Sequence, residues 1–97
     1  MFNEPRFPHA PYIGDMSKKK EERAKQKMYD SQRAAIWELR GIREMNGLTQ
    51  KDVAKKMGTH STQISRLENW KLDLKFSTLR RYALACGAEI SFNVTEA

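Results

Sequence analysis

The sequence predicts a mainly α fold, a small bundle of helices with a long N-terminal helix and a short C-terminal β-strand. Three observations carry this. Apolar residues recur at helical spacing in four segments, three of those segments close on a glycine (Gly47, Gly58, Gly87), and beyond Gly87 the apolar period changes from helical to two residues. A chain of 97 residues is long enough for one small domain with a modest core.

Residues 1–15 hold Pro5, Pro8, Pro11 and Gly14, spaced so that neither a helix nor a central strand persists, and are read as an extended arm. Residues 16–35 form a basic helical segment, rich in helix formers but poor in residues able to anchor a core. Ala24, Met28, Ala35, Leu39 and Ile42 fall near one stripe, so one helix from about Asp15 or Ser17 to Asn46 fits, with fraying before Gln32 as the alternative. Residues 36–88 make the bundle. Asn46-Gly47 stops the first helix, and Thr49 caps a second of about residues 50–57, with Asp52 three positions on and Val53, Ala54 and Met57 on its buried face. A third spans about 61–69 with Ile64 and Leu67 inward and Trp70 closing its end. A fourth runs from about Phe76 to Cys86, where Leu79, Tyr82, Ala83 and Cys86 share a face. In residues 89–97, Ile90, Phe92 and Val94 alternate with Glu89, Ser91 and Asn93, the repeat of a half-buried strand.

Lys plus Arg number 18 against 12 Asp plus Glu, a net charge of +6, which favours anionic partners. Residues 1–35 and 36–97 each carry +3, so the charge is not confined to a tail. The single Cys86 closes no internal disulfide, no apolar run approaches the roughly 20 residues of a membrane helix, and Met1 is followed by no apolar signal region. The expectation is a soluble cytoplasmic, nucleoid-associated protein without membrane contact. His60 has no second His or Cys at ligand spacing, and no catalytic triad, metal cluster or phosphate loop is present, so neither an enzyme nor a cofactor or metal is expected.

The second and third helices, joined by a short turn containing Gly58, have the layout of a DNA-reading helix-turn-helix. Ala54 is small where the helices cross, and Ile64 takes the buried position of the second. Ser61, Thr62, Ser65, Arg66 and Asn69 project opposite Ile64 and Leu67, with Gln63 at the flank. Ser and Thr bond several base edges, arginine makes a bidentate contact to guanine, and the Thr62 methyl suits a thymine methyl. None of the five is acidic, as nearby phosphates require.

The stretch from Leu39 to Ala54, with its Gly47-Leu48-Thr49-Gln50 step, continuing through Met57, Gly58 and Ile64-Ser65-Arg66-Leu67-Glu68-Asn69, resembles the Xre/Cro/C1-type helix-turn-helix of lambdoid phage repressors and bacterial antitoxins. The resemblance covers about residues 36–88 and implies a lambda-repressor-like bundle that binds a pseudo-palindromic double-stranded DNA operator. It implies phosphate contacts at Gln50 and Asn69, to which Lys71 and Lys75 of the following loop are added as candidates. Base contacts fall on Ser61, Thr62 and Arg66, with His60 and Ser65 secondary, and a buried ion pair on Arg43 and Glu68. His60 departs from the Ser or Thr usual there as the helix cap, so Thr59 is expected to cap instead. The fourth helix and the strand after it look like those of HigA and HipB-type antitoxins, which implies a homodimer joined through Ile90, Phe92 and Val94. A lone strand is unstable until another covers it, and twofold pairing is the simplest cover.

Plainer roles stand beside these. Arg66 is alternatively a solvated helix residue; Lys18, Lys19 and Lys20 read as a solvated helix start; Cys86 and Tyr82 read as core; Trp37 and Trp70 read as packing or dimer-contact residues rather than base platforms. The leading function is a dimeric sequence-specific transcriptional repressor, the antitoxin of a toxin–antitoxin pair whose toxin is met by residues 1–35. The alternatives are a phage or plasmid repressor without a toxin, the arm adding DNA contact, and a coactivator or adaptor of multiprotein-bridging type.

Overall fold

The computed structural model describes residues 18–70 and 73–96, so the arm expected over 1–15, the first residues of the basic segment and Lys71 lie outside the described residues. Four helices follow one another: α1 (Lys18–Met45), α2 (Gln50–Met57), α3 (Ser61–Glu68) and α4 (Phe76–Cys86). Helix α1 is continuous over 28 residues, about 42 Å at 1.5 Å per residue, and does not fray before Gln32. Gln32–Asn93 form one unit, and among the described residues 18–31 and 94–96 belong to a second. In the second, the helical residues 18–31 are exposed apart from half-buried Ala24, and carry an Lys25–Glu22 ion pair of 3.5 Å and a Gln26–Asp30 hydrogen bond of 3.1 Å.

In the larger unit each helix contributes one apolar stripe: Ile36 and Leu39 from α1, Val53, Ala54 and Met57 from α2, Ile64 and Leu67 from α3, and Leu79, Tyr82, Ala83, Ala85 and Cys86 from α4. Burying a Val-, Leu- or Ile-sized side chain stabilises by about 1.5–3 kcal/mol, so these residues hold the short helices α2 and α3, which are far too short to persist alone. Two side-chain to backbone bonds also tie elements of the bundle together. Asn46 Nδ2 donates to the Cys86 carbonyl at 2.9 Å, and the Arg81 guanidinium donates to the Met57 carbonyl at 2.5 Å.

Helix ends follow the local sequence closely. Thr49 and Asp52 form a reciprocal capping box, with Asp52 N–H to Thr49 Oγ1 at 3.0 Å and Thr49 N–H to Asp52 Oδ2 at 2.9 Å. Those bonds, the backbone one first, hold the Asp52 carboxyl below the usual carboxylate range. α1, α2 and α4 each end with a 6→1 backbone bond around a glycine of positive φ: Leu48 to Arg43 (3.0 Å), Thr59 to Ala54 (2.9 Å) and Ala88 to Ala83 (2.9 Å). α3 has no glycine at its end, and Trp70 itself takes the left-handed conformation at φ 62°, its N–H bonded to the Leu67 carbonyl at 3.3 Å.

The expected C-terminal strand is not formed: among the described residues none is a strand, and 88–96 lack regular structure. A ladder needs a second strand, which a single chain does not offer here. Two of the alternating apolar residues instead meet the bundle. Ile90 is half-buried against the core, and the Phe92 ring lies 5.1 Å from that of Phe76. Among the described residues no helix is long and apolar enough to cross a membrane.

Candidate nucleic-acid interface

α3 divides cleanly into two faces. Ile64, Leu67 and Glu68 are buried, whereas Ser61, Thr62, Gln63 and Arg66 are exposed and Ser65 is half-buried. The outward side chains are hydroxyl, amide and guanidinium, able to donate and, except for arginine, to accept hydrogen bonds. The acid that the α3 sequence does contain, Glu68, points inward.

That carboxylate is the centre of a buried cluster. Arg43 from α1 binds it through two parallel bonds, Nε to Oε2 at 2.7 Å and Nη2 to Oε1 at 3.1 Å, while its Nη1 donates to the Leu48 carbonyl at 2.7 Å. Gln50 Nε2 donates to Oε1 at 3.0 Å and the Tyr82 hydroxyl to Oε2 at 2.6 Å. One residue from each of the other three helices is therefore fixed to the α3 carboxylate, and Arg40 Nε approaches the same Oε1 at 3.9 Å. Burial opposes ionisation of Glu68, but the bonds from Arg43, Tyr82 and Gln50 outweigh it and hold its pKa below the ordinary value. Burial, followed by the bond to Glu68, pushes the Tyr82 phenol well up, and burial does the same to the Cys86 thiol. For Arg43 burial acts against the charge, and the Glu68 bond and charge more than restore it.

The cluster changes what the candidate phosphate contacts can offer. Gln50 is half-buried with one amide N–H committed to Glu68; its second N–H and the start of α2 are what remain for a phosphate. Asn69 is exposed, but its side chain folds back so that Nδ2 donates to the Ser65 carbonyl at 2.8 Å, with Ser65 Oγ 3.4 Å away. Lys75 is exposed at the start of α4.

At the other end of α3, His60 is the N-cap residue, extended at φ −107° and ψ 151°, with no side-chain capping bond. The expected shift of the cap to Thr59 does not occur: α3 starts at Ser61, and it is the His60 carbonyl that accepts its first backbone bonds. Gln63 and Ile64 N–H groups turn back to the His60 carbonyl at 2.9 and 3.4 Å. The Ser61 and Thr62 amides thus lead an uncapped helix start whose partial positive charge suits an anion. Beside it lies an open groove lined by Lys51, Asp52, Ala54 and Lys55 of α2 and by Thr59, His60, Ser61 and Thr62, the Asp52 carboxylate accepting from the Thr49 N–H in the capping box. Those two lysines were not evident as candidates in the sequence; the signal was their i, i+4 spacing on the face of α2 opposite Val53 and Ala54. Gly58, at φ 69°, makes the turn that sets the groove.

A helix-turn-helix family model matches residues 39–93, more than half of the chain. The chain belongs to the helix-turn-helix family of Xre/Cro/C1 type. This is the domain of sequence-specific DNA-binding regulators, and its ligand is double-stranded DNA. No curated protein and no solved structure matches the chain.

The residues expected at a dimer contact are placed differently from one another. Ile90 is half-buried, Phe92 is 55% exposed although its ring lies tilted against that of Phe76, and Val94 is exposed. Trp37 does not pack in the core: it is 68% exposed, with the Arg40 guanidinium 5.6 Å from its ring centroid. Trp70 is 36% exposed and carries the Arg33 guanidinium at 5.3 Å.

Proposed function

We propose that this helix-turn-helix protein is a transcriptional repressor that inserts α3 into the major groove, with Arg66, Ser61 and Thr62 reading base edges and His60 and Ser65 assisting. The observation that carries this is the acid-free outward face of α3, its single carboxylate turned inward and neutralised by Arg43. Gln50, Asn69 and Lys75, with Lys71, contact phosphates, joined by Lys51 and Lys55 at the groove. The protein acts as a twofold homodimer joined through its C-terminal segment, where Phe92 and Leu84 expose apolar surface. Its biological role is that of an antitoxin of HigA or HipB type which represses its own operon, with the basic segment before residue 36 meeting the toxin. One observation favours a repressor without a toxin: residues 1–35 hold 8 basic against 5 acidic groups, which repel a basic ribonuclease toxin and attract DNA.

Selection of bound duplex fragments by the purified chain tests the reading. A common half-site motif is expected, and Arg66→Ala should lower affinity for it by about 1–3 kcal/mol and relax preference at one base position. Unchanged preference in that variant removes Arg66 from readout, and recovery of no motif overturns sequence-specific repression. Identification of a small co-purifying protein encoded beside it separates the antitoxin from the plain repressor.

A further inference from the structure

We propose that Arg33, Trp37, Arg40 and Trp70 form a second phosphate-binding surface, a guanidinium ridge that grips the DNA backbone beside the half-site read by α3; it rests on the DNA-binding reading above. Arg33, Trp37 and Arg40 fall at i, i+4 and i+7 on α1, a stripe that borders the buried Ile36, Leu39 and Arg43 on its Arg40 side. Each arginine lies over an indole, Arg33 over Trp70 and Arg40 over Trp37.

A guanidinium held over an indole is restrained in position while the N–H donors not bonded elsewhere stay open. Among the described residues no carboxylate lies within ion-pair distance of Arg33. Arg40 has Glu44 at 3.5 Å, and its other neighbour, Glu68 at 3.9 Å, is already saturated by Arg43, Gln50 and Tyr82. The two charges are thus positioned but incompletely neutralised. Trp70 holds its place in the backbone conformation that glycine takes at the ends of the other three helices, a cost that a plain helix stop would not incur.

Position selects DNA as the occupant. Arg40 reaches the same carboxylate oxygen as Gln50, and Trp70 directly follows Asn69, so the ridge continues the edge on which both candidate phosphate contacts sit. Those contacts each have an amide N–H engaged internally, and the ridge supplies charged donors where they offer few.

The test measures binding of the full chain to a labelled duplex by fluorescence anisotropy across a KCl series. Arg33→Gln should lower the slope of log K against log salt by about 0.9, one phosphate contact. Arg80→Gln, a charge-matched change on the exposed face of α4, should leave the slope unaltered, and both variants should melt like the parent. An unchanged slope in Arg33→Gln, or an equal loss in Arg80→Gln, overturns the ridge while DNA binding stands. Loss of binding to a labelled poly-glutamate peptide, with the DNA slope intact, assigns the ridge to an acidic protein and also overturns it. A parent chain that binds no duplex at any salt overturns both this proposal and the function on which it rests.

Discussion

Glu68→Gln is the sharpest perturbation of this domain. The native carboxylate accepts four hydrogen bonds, two at each oxygen, with its own side chain fully buried and that of Arg43 only 7% exposed. A glutamine of the same shape keeps one accepting oxygen and presents an NH2 at the other. If the NH2 takes the Oε2 position, the Tyr82 hydroxyl can rotate to accept; if it takes Oε1, the Gln50 amide can flip. In neither orientation can Arg43 keep both bonds, and in both its buried charge loses its hydrogen-bonded counter-charge and keeps only the exposed Glu44 carboxylate, 3.8 Å from Nη2. Breaking a buried pair from one side costs about 3–5 kcal/mol, a large part of the roughly 5–15 kcal/mol that holds a domain of this size together. Urea unfolding followed by circular dichroism should show that loss, and thermal unfolding a fall in Tm of at least about 12 °C. Tyr82→Phe removes one bond to a carboxylate that keeps three others and should cost about 1.5–3 kcal/mol. The pH dependence has a definite sign. Because the folded pKa of Glu68 lies below its ordinary value of 4.5, its stabilisation is complete above that pH and is lost as pH falls through the folded value. Glu68→Gln should therefore flatten the decline of stability below about pH 4.5. A loss under 1 kcal/mol for Glu68→Gln, where exposed pairs lie, would refute the argument that the cluster is desolvated and closed.

Three further outcomes follow from the same geometry. Trp70→Gly and Trp70→Ala both remove the indole, but only glycine accepts φ 62° without strain, so the glycine variant should be more stable than the alanine one by about 1–2 kcal/mol in urea melts; equal stabilities would show no backbone strain there. Gly87→Ala places a Cβ 2.5 Å from Asn46 Nδ2 at φ 88°, and loss of the Asn46 bond to Cys86 together with the left-handed penalty should cost about 2–3 kcal/mol by chemical denaturation, a change under 0.5 kcal/mol contradicting it. Phe92→Asp should turn the proposed dimer into monomers in sedimentation equilibrium and abolish joint binding of half-sites about 34–36 Å apart, with the helical circular dichroism kept; a variant that remains dimeric moves the interface elsewhere.

Helix positions were legible in the sequence because their signals are local. Glycines at 47, 58 and 87 close α1, α2 and α4 by a conformation that only they adopt cheaply, and Thr49 with Asp52 starts α2 through bonds three residues apart. The apolar stripes fixed which face of α3 turns outward, and with it the exposure of Ser61, Thr62 and Arg66. What the sequence could not determine depends on neighbours far along the chain. Tyr82 read as plain core by its helical phase, yet its hydroxyl meets Glu68 across 14 positions; Gln50 read as an open phosphate donor, yet it is drawn 18 positions along to the same oxygen pair. The strand pattern after Gly87 was genuine alternation, but a strand is a pairing, and within one chain Ile90 and Phe92 find the core and Phe76 instead. Trp70 ends α3 without a glycine and meets Arg33 of α1 across 37 positions, a contact between helices that no periodicity encodes, whereas the Trp37–Arg40 pair outside the core is an i, i+3 contact within α1.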